Sequence, residues 1–380
     1  MTMENTTPAR SLRDRMLDWL EQRVNLSELF SFLTHFLLLT VPLDTRKPLR
    51  ELLRDLDRTA LPAYATGRQL LGVLMALLFG LEAVTGLLLA FYYRPTPDAA
   101  HASTLSIVRD LPLGGLIHQL HAWGALLLVV VVGLRVVRLF WDGLHQAPRE
   151  LSWVAAVFLL WVALQFDFTG RLLPWDANGY WSVVRGLEVI YGVPVIGPVL
   201  AFFVGGHTMS EDLLTRFYVL HVGLLPLLWL VGVYFTVATL RRVGLGSIAQ
   251  MKPGSSTTTT LRRHRYDLGI LLMLSFAVLA TLAVLVPFRF SGAADPYTTP
   301  PDALPPWHLL GASALMQATP VPMWLTGGLV LLLGLAILTL PWWAARLGER
   351  FPAQRLRLAG AVTLGLWLAL SVAGLFVGRS

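Results

Sequence analysis

Seven long apolar runs, each of a length to cross a lipid bilayer as a helix, constrain this chain more than any other feature. They are Leu70–Tyr92, Leu116–Trp141, Leu151–Thr169, Arg216–Leu240, Asp267–Phe288, Met323–Trp343 and Leu358–Val377. A helical span needs roughly 20 predominantly apolar residues. Hydrocarbon offers no water to bond the backbone, so only helices and closed barrels cross it. A barrel would read as short segments alternating apolar and polar, and the runs here are continuous. The expected fold class is therefore all-α: a polytopic membrane helical bundle of about seven transmembrane helices. Composition agrees, with 55% hydrophobic and 14% charged residues, where soluble domains carry about 25% charged.

The formal charge of +7 sets topology rather than a nucleic-acid partner. Basic residues gather in the N-terminal segment and at Arg135/Arg138/Arg149, Arg241/Arg242 with Arg262/Arg263/Arg265, and Arg346/Arg350/Arg355/Arg357. They alternate with acidic or neutral stretches at Pro95–Ala100, Trp175–Asp212 and Ala293–Ala303. The positive-inside rule turns the basic segments to the cytoplasm, which puts the N-terminus inside and the C-terminus outside. The first 25 residues lack the apolar core of a cleavable signal. Leu29–Leu39, with Leu12, Met16, Trp19 and Leu20 at helical spacing, reads as an amphipathic helix at the interface. The expected organisation is an N-terminal segment (1–69), a four-helix half (70–251), a polar linker (252–266) containing KPGSSTTTT, and a three-helix half (267–380). The loop Pro174–Asp212, rich in aromatic and glycine residues, is too long for a turn and is expected to form short outer-surface helices.

Cysteine is absent, which removes iron–sulfur clusters, thiolate zinc sites and Cys-x-x-Cys-His haem attachment from this chain. Of nine histidines, His118, His121 and His221 lie in or at the outer ends of predicted spans. His118 and His121 are one turn apart and share a face. His121 and His221 come from two helices at matching depth, and neutral imidazole is a good axial ligand for haem iron. Taken singly, each reads as an interfacial histidine bonded to a carbonyl. Glycine tips the balance, because haem is a flat disc whose flanking helices must approach closely, and glycine allows that. Gly86 and Gly170 stand at the outer ends of the first and third runs, at the depth of the two histidines.

These residues belong to a longer series: Thr85-Gly86 with Tyr92-Tyr93-Arg94-Pro95, Leu120-His121-Ala122-Trp123-Gly124-Ala125, and Pro148-Arg149-Glu150-Leu151. Phe168-Thr169-Gly170-Arg171-Leu172-Leu173-Pro174-Trp175, Tyr180-Trp181, Thr215-Arg216-Phe217-Tyr218-Val219-Leu220-His221, Ala294-Asp295-Pro296 and Pro305-Pro306-Trp307-His308 follow in order. In them the chain resembles cytochrome b, the haem-carrying core of quinol:cytochrome c or plastocyanin reductases. With three spans after the linker it resembles a fused form of the split, chloroplast-type protein. The resemblance implies haem b held by His121 and His221 between Gly86 and Gly170, with His118 and Arg216 among the cofactor-binding residues. His118 stands where the family tends to have an arginine near the haem propionates.

The chain also departs from that pattern. The family carries a second haem, ligated fourteen or fifteen residues further along the second and fourth spans, about 21 Å deeper. The matching positions here are Arg135 and Phe235 or Thr236, and of the inner glycines Gly72 is kept while Ala156 replaces the other. Arg135 either snorkels to the cytoplasmic surface with Arg138 or occupies the space of the missing haem. One b-type haem, on the outer side, is therefore expected. The family's Pro-Glu-Trp-Tyr motif reads Pro305-Pro306-Trp307-His308, and a second tyrosine is Arg171. Quinol oxidation releases protons and calls for a base within reach, for which His308 and Glu188 are the candidates. On the cytoplasmic side Arg265-Tyr266-Asp267 resembles a Lys-Asp pair near the family's second quinone site, and Asp267 also suits a helix start.

Two functions follow. In the first, the chain is an electron-transfer subunit in a bacterial inner membrane, exchanging electrons with quinol and a c-type cytochrome or iron–sulfur partner, without bifurcation and with a leaning to a homodimer. In the second, it is a structural anchor of a redox complex with no quinol turnover of its own.

Overall fold

The computed structural model describes residues 48, 51, 60–191, 195–199, 211–243, 258–300, 303–318, 323–348 and 353–377. The amphipathic segment expected around Leu12–Leu39, and Lys252–Ser256 of the linker, lie outside them. The chain divides into two compact units, residues 1–73 with 244–270 and residues 74–243 with 271–380. In the first, β1 (Ala60–Pro62) pairs antiparallel with β2 (Thr258–Thr260), Ala60 opposite Thr260. Apart from this short ladder and an isolated bridge between Asp176 and Ala293, the described structure is helix and connecting loop.

The helices follow the apolar runs. They are α1 (Ala63–Ala90), α2 (Pro97–Asp110), α3 (Gly114–Trp141), α4 (Glu150–Leu172) and α5 (Ala177–Tyr191). Next, α6 (Glu211–Val219) continues through a π-helical turn, Leu220–Leu224, into α7 (Leu225–Val243). Then come α8 (Leu261–Leu285), a 3₁₀ turn at Trp307–Leu309, α9 (Leu310–Ala318), α10 (Met323–Leu338), α11 (Leu340–Gly348) and α12 (Ala353–Val377). Among the described residues six helical stretches are long and apolar enough to cross a membrane: Leu70–Ala90, Gly114–Trp141, Glu150–Leu172, Asp212–Leu240, Tyr266–Leu285 and Ala353–Phe376. Only 11% of the most apolar window of α8 and 6% of that of α12 is buried within the protein. So much exposed apolar surface marks a membrane-facing exterior, and the chain is an integral membrane protein.

The seventh expected span is bent. Trp324–Leu338 and Leu340–Leu347 meet at 76°, because Pro341 has no N–H and its ring clashes with the carbonyl four residues back. A break in hydrocarbon leaves carbonyls that must be satisfied from within the protein. Here two indoles do it: Trp343 Nε1 donates to Ala336 O (2.8 Å) and Trp153 Nε1 donates to Ile337 O (2.8 Å). Trp153 reaches across from α4, so the bend is tied to the bundle core.

Helix α4 is the centre of the larger unit and packs against both α3 and α7. Its buried face is built from small and branched residues, Ala155, Ala156, Leu159, Val162 and Ala163, which bring neighbouring helices close. At the end of the bundle holding His121 and His221, the loop after α8 is stapled down by side chains. Gln119 of α3 exchanges two hydrogen bonds with the backbone of Phe288, both 2.8 Å, and Trp123 Nε1 donates to Val286 O. Asp176 accepts from Ser291 N, Ser291 Oγ and Gly179 N, joining that loop to the start of α5.

Trp153→Phe keeps the ring and deletes the indole N–H, so Ile337 O is left unsatisfied in an apolar setting. The expected loss is about 1–3 kcal/mol, read as a lower unfolding midpoint in detergent.

Candidate functional site

The sequence places His121 about two turns into α3 and His221 at the same level, where α6 passes into α7. The structure turns the two rings towards each other, centre to centre 6.1 Å apart and inclined at 72°. His221 sits in the π-helical turn, where Leu225 N bonds Leu220 O. Pro226 is the local cause, since it cannot supply the next helical N–H, and such π turns recur at functional sites.

Each imidazole is held by a threonine. His121 Nδ1 lies 3.0 Å from Thr85 Oγ1, and His221 Nδ1 lies 2.9 Å from Thr169 Oγ1. Each hydroxyl spends its single proton on the carbonyl four residues back, Leu81 O and Gln165 O, both at 2.7 Å. Towards the ring it can therefore only accept. Both histidines then carry their proton on Nδ1, and each Nε2 keeps its lone pair for a ligand. This is the orientation in which an outer hydrogen bond fixes a metal-binding imidazole.

The glycines preceded by those threonines make room. A Cβ at Gly86 would lie 3.0 Å from His121 Cε1, and one at Gly170 would lie 2.9 Å from His221 Cε1, so any larger residue would push the ring away. A metal–imidazole bond is about 2.0–2.1 Å, so two rings clamping one metal have centres about 6 Å apart, as these do. The four positions fit a bis-histidine haem. Below the pair, Phe79 stacks on Trp229 (5.1 Å, 16°) and Phe166 meets His221 edge-on at 5.5 Å, giving an apolar aromatic floor.

One contact has no counterpart on the His221 side among the described residues. Glu82 of α1 brings Oε2 to 3.0 Å from His121 Nδ1, with its side chain only 10% exposed. Its Oε1 has no hydrogen-bond partner among the described residues. A carboxylate accepting from Nδ1–H raises the basicity of the ring's other nitrogen.

The comparisons with known proteins settle the family. The cytochrome b/b6/petB family model matches residues 60–244. Cytochrome b6 of Heliobacterium modesticaldum is 44% identical over 157 residues, which is 41% of this chain and 74% of that protein. The chain belongs to the cytochrome b family. Cytochrome b6 of Tupiella akineta is 34% identical over 203 residues, 53% of this chain and 94% of that protein. A chain of the hyperthermophilic respiratory Complex III shares the fold over 96% of each chain, with a TM-score of 0.68 at 20% identity. Membership implies b-type haem, and the paired histidines are the residues here that fit it.

The other expected cytochrome b positions are spread more widely. His118 is half-buried against Phe290 (ring centres 4.8 Å), and its Nδ1 has no hydrogen-bond partner among the described residues. Arg216 is exposed at the start of the fourth span. Tyr93 donates to Leu173 O at 2.6 Å, and burial, then Tyr218, pushes its pKa up. Glu188 is half-exposed on α5 and pairs with Arg185 at 3.2 Å. His308 is brought instead against α4: its Nδ1 is 3.2 Å from Asp167 Oδ2, each side chain 9% exposed. Arg171 closes the group, with Nε and Nη2 donating to Asp167 at 3.1 and 3.0 Å.

At the other end of the bundle the positions of the second haem look different. Arg135 is half-buried, and its Nε and the buried Thr236 Oγ1 have no partner among the described residues. Phe235 is exposed. Ala156, at the inner glycine position, is fully buried with Val136, Trp153, Leu340 and Ala344. His145 is buried between Phe140 (5.5 Å) and Trp153 (5.8 Å); burial, then Arg357, pushes its pKa down.

Sequence reading missed Glu82 and Asp167. An acidic residue inside an apolar run was the signal for both, because ionisable groups at that depth are functional by default. Glu82→Gln replaces the carboxylate at His121 Nδ1 with a weaker acceptor. It is expected to raise the midpoint potential of a haem ligated by His121, and a redox titration of the α-band checks this.

Proposed function

We propose that this chain is the membrane electron-transfer subunit of a quinol-oxidising complex of the cytochrome bc type. It holds one b-type haem between His121 and His221 and passes electrons outward without bifurcation. The observation that carries the reading is the matched pair of Thr-Gly/His units at one end of the bundle, opposed to Arg135 and Thr236 at the other. Bound at the outer site, haem supplies a one-electron iron couple.

The protein's own part is to orient and to exclude. Thr85 and Thr169 fix the ring tautomers, and Gly86 and Gly170 let the rings sit close against their helices. Phe79, Phe166 and Trp229 keep water from the inner side of the pocket. His118 and Arg216, at the outer ends of their helices, are assigned to the haem propionates. At the inner level guanidinium is no usual haem ligand and holds its proton, while Thr236 offers only a hydroxyl. The apolar cluster around Ala156 further supports a closed inner site, and electron tunnelling inward from the outer site then lacks its relay. The four-helix half, residues 70–251, carries the haem, and the three-helix half, 267–380, brings His308 to it.

The relatives' membership of redox complexes supports a c-type cytochrome or iron–sulfur protein as electron acceptor, and a homodimer as the assembly. The charge distribution supports a bacterial inner membrane, with the N-terminus cytoplasmic and the haem near the outer face. Pro306, where the family has a glutamate, favours a second reading in which the chain anchors a redox complex and turns over no quinol itself.

Quinol gives up two protons and two electrons. If both electrons leave outward, the complex reconstituted in sealed vesicles releases one proton on its outer side per electron delivered to an added cytochrome acceptor. Recycling half of the electrons inward would double that ratio, so two protons per electron would contradict the proposal. Absence of quinol turnover would favour the anchor.

A further inference from the structure

We infer that Asp167 is a positioning residue that makes His308 the proton acceptor for quinol at the outer site, in place of the carboxylate lost at Pro306. The inference rests on the quinol-oxidising reading and names the groups that handle the proton.

Neither half of the arrangement works alone. Histidine in a loop samples several rotamers and both tautomers, and a carboxylate buried in a span is unfavourable without a partner. Here Arg171, one turn along α4, grips Asp167 through two hydrogen bonds of 3.0 and 3.1 Å. That bidentate fork holds the carboxylate charged and fixes its direction. Oδ2 then faces His308 Nδ1 at 3.2 Å, with both side chains nine-tenths buried. The contact is an ion pair rather than a formed hydrogen bond, since Nδ1 has no hydrogen-bond partner among the described residues. The charge beside Nδ1 favours the tautomer with its proton there, which leaves the Nε2 lone pair to accept. The logic is that of an aspartate orienting a catalytic histidine. Nε2 makes no hydrogen bond among the described residues.

The turn that carries His308 is held in place independently. Gly186 of α5 allows Pro306 Cδ and Phe168 Cε2 to pack where its own Cβ would stand, at 3.2 and 2.6 Å. Pro306 is thus a packing residue that seats the turn against α5. Asp167 and Arg171 flank Thr169 and Gly170, the residues that hold His221, so the base and the haem pocket share one helical turn. The remaining charges around His308 are few. On α5, Arg185 and Glu188 pair with each other at the surface. Helix α9 has no ionisable residue, and neither has the adjoining part of α12, Trp367–Val377.

In the step, the quinol O–H bond breaks and its proton forms an N–H bond at His308 Nε2. The two electrons leave one at a time, and both pass outward to the one-electron iron–sulfur or c-type partner. The imidazolium, stabilised by Asp167, releases its proton to the outer solvent before the second hydroxyl is deprotonated.

The experiment is quinol turnover against pH in the intact complex, for wild type, H308Q, D167N and D167E, each checked for an unaltered haem spectrum. H308Q is expected to lose roughly 100-fold in kcat and the acidic limb of the profile. D167N is expected to lose roughly tenfold in kcat with KM little changed. Its acidic limb moves to lower pH, because the charge that favoured imidazolium is gone. D167E recovers part of both. Wild-type kcat and an unmoved limb in D167N would overturn the role of Asp167, and a limb moved by E188Q instead would overturn the choice of base. A wild-type complex that oxidises no quinol would overturn the quinol-oxidising reading itself, which is a distinct result.

Discussion

Inside hydrocarbon a polar group has no water to turn to, and each one must be partnered by the protein or be part of its function. The structure is organised by that constraint. The spans bond their own backbones, and where Pro341 breaks one, two tryptophans supply the missing donors. Thr85 and Thr169 bond back to their helices and still offer a lone pair to an imidazole. The same rule makes Glu82 and Asp167 conspicuous, since a carboxylate at that depth is retained only for what it touches. Each touches a histidine.

The two ends of the bundle answer the constraint in different ways. At one end, polar side chains converge in pairs and hold two imidazoles with ring centres 6.1 Å apart. At the other, Ala156 is packed among Trp153, Leu340 and Ala344, and the position of a second ligand is a guanidinium. On this account the family's relay across the membrane is reduced here to its outer station. On the same account the electron path is shortened and the proton path runs through His308 beside Asp167.

Much of this was legible in the sequence. Six apolar runs became spans with ends shifted by a few residues, because hydrophobic length determines a transmembrane helix. The pairing of His121 with His221 is legible from their matching depth together with Gly86 and Gly170, which lie against those rings. Other features depend on which side chains meet in three dimensions. Pro341 lay in plain view near the end of a run, but the size of the bend depends on the indoles that cap it. Pro226 gave no sign of a π-helical turn. Glu188 and His308 were equal candidates for a base on composition. Only packing separates them, one paired at the surface and the other pressed against Asp167. The acids at 82 and 167 are readable in principle, but each is the only acid in its apolar run, with nothing nearby in sequence to name the histidine it meets.

The account stands on one haem per chain, held by one pair of histidines. The pyridine haemochrome assay on the purified protein, set against protein concentration by amino-acid analysis, measures this directly. One b-type haem per chain, lost in His121→Ala, is expected. A ratio of two would mean that the inner site is filled despite Arg135 and Thr236, and the account would be wrong.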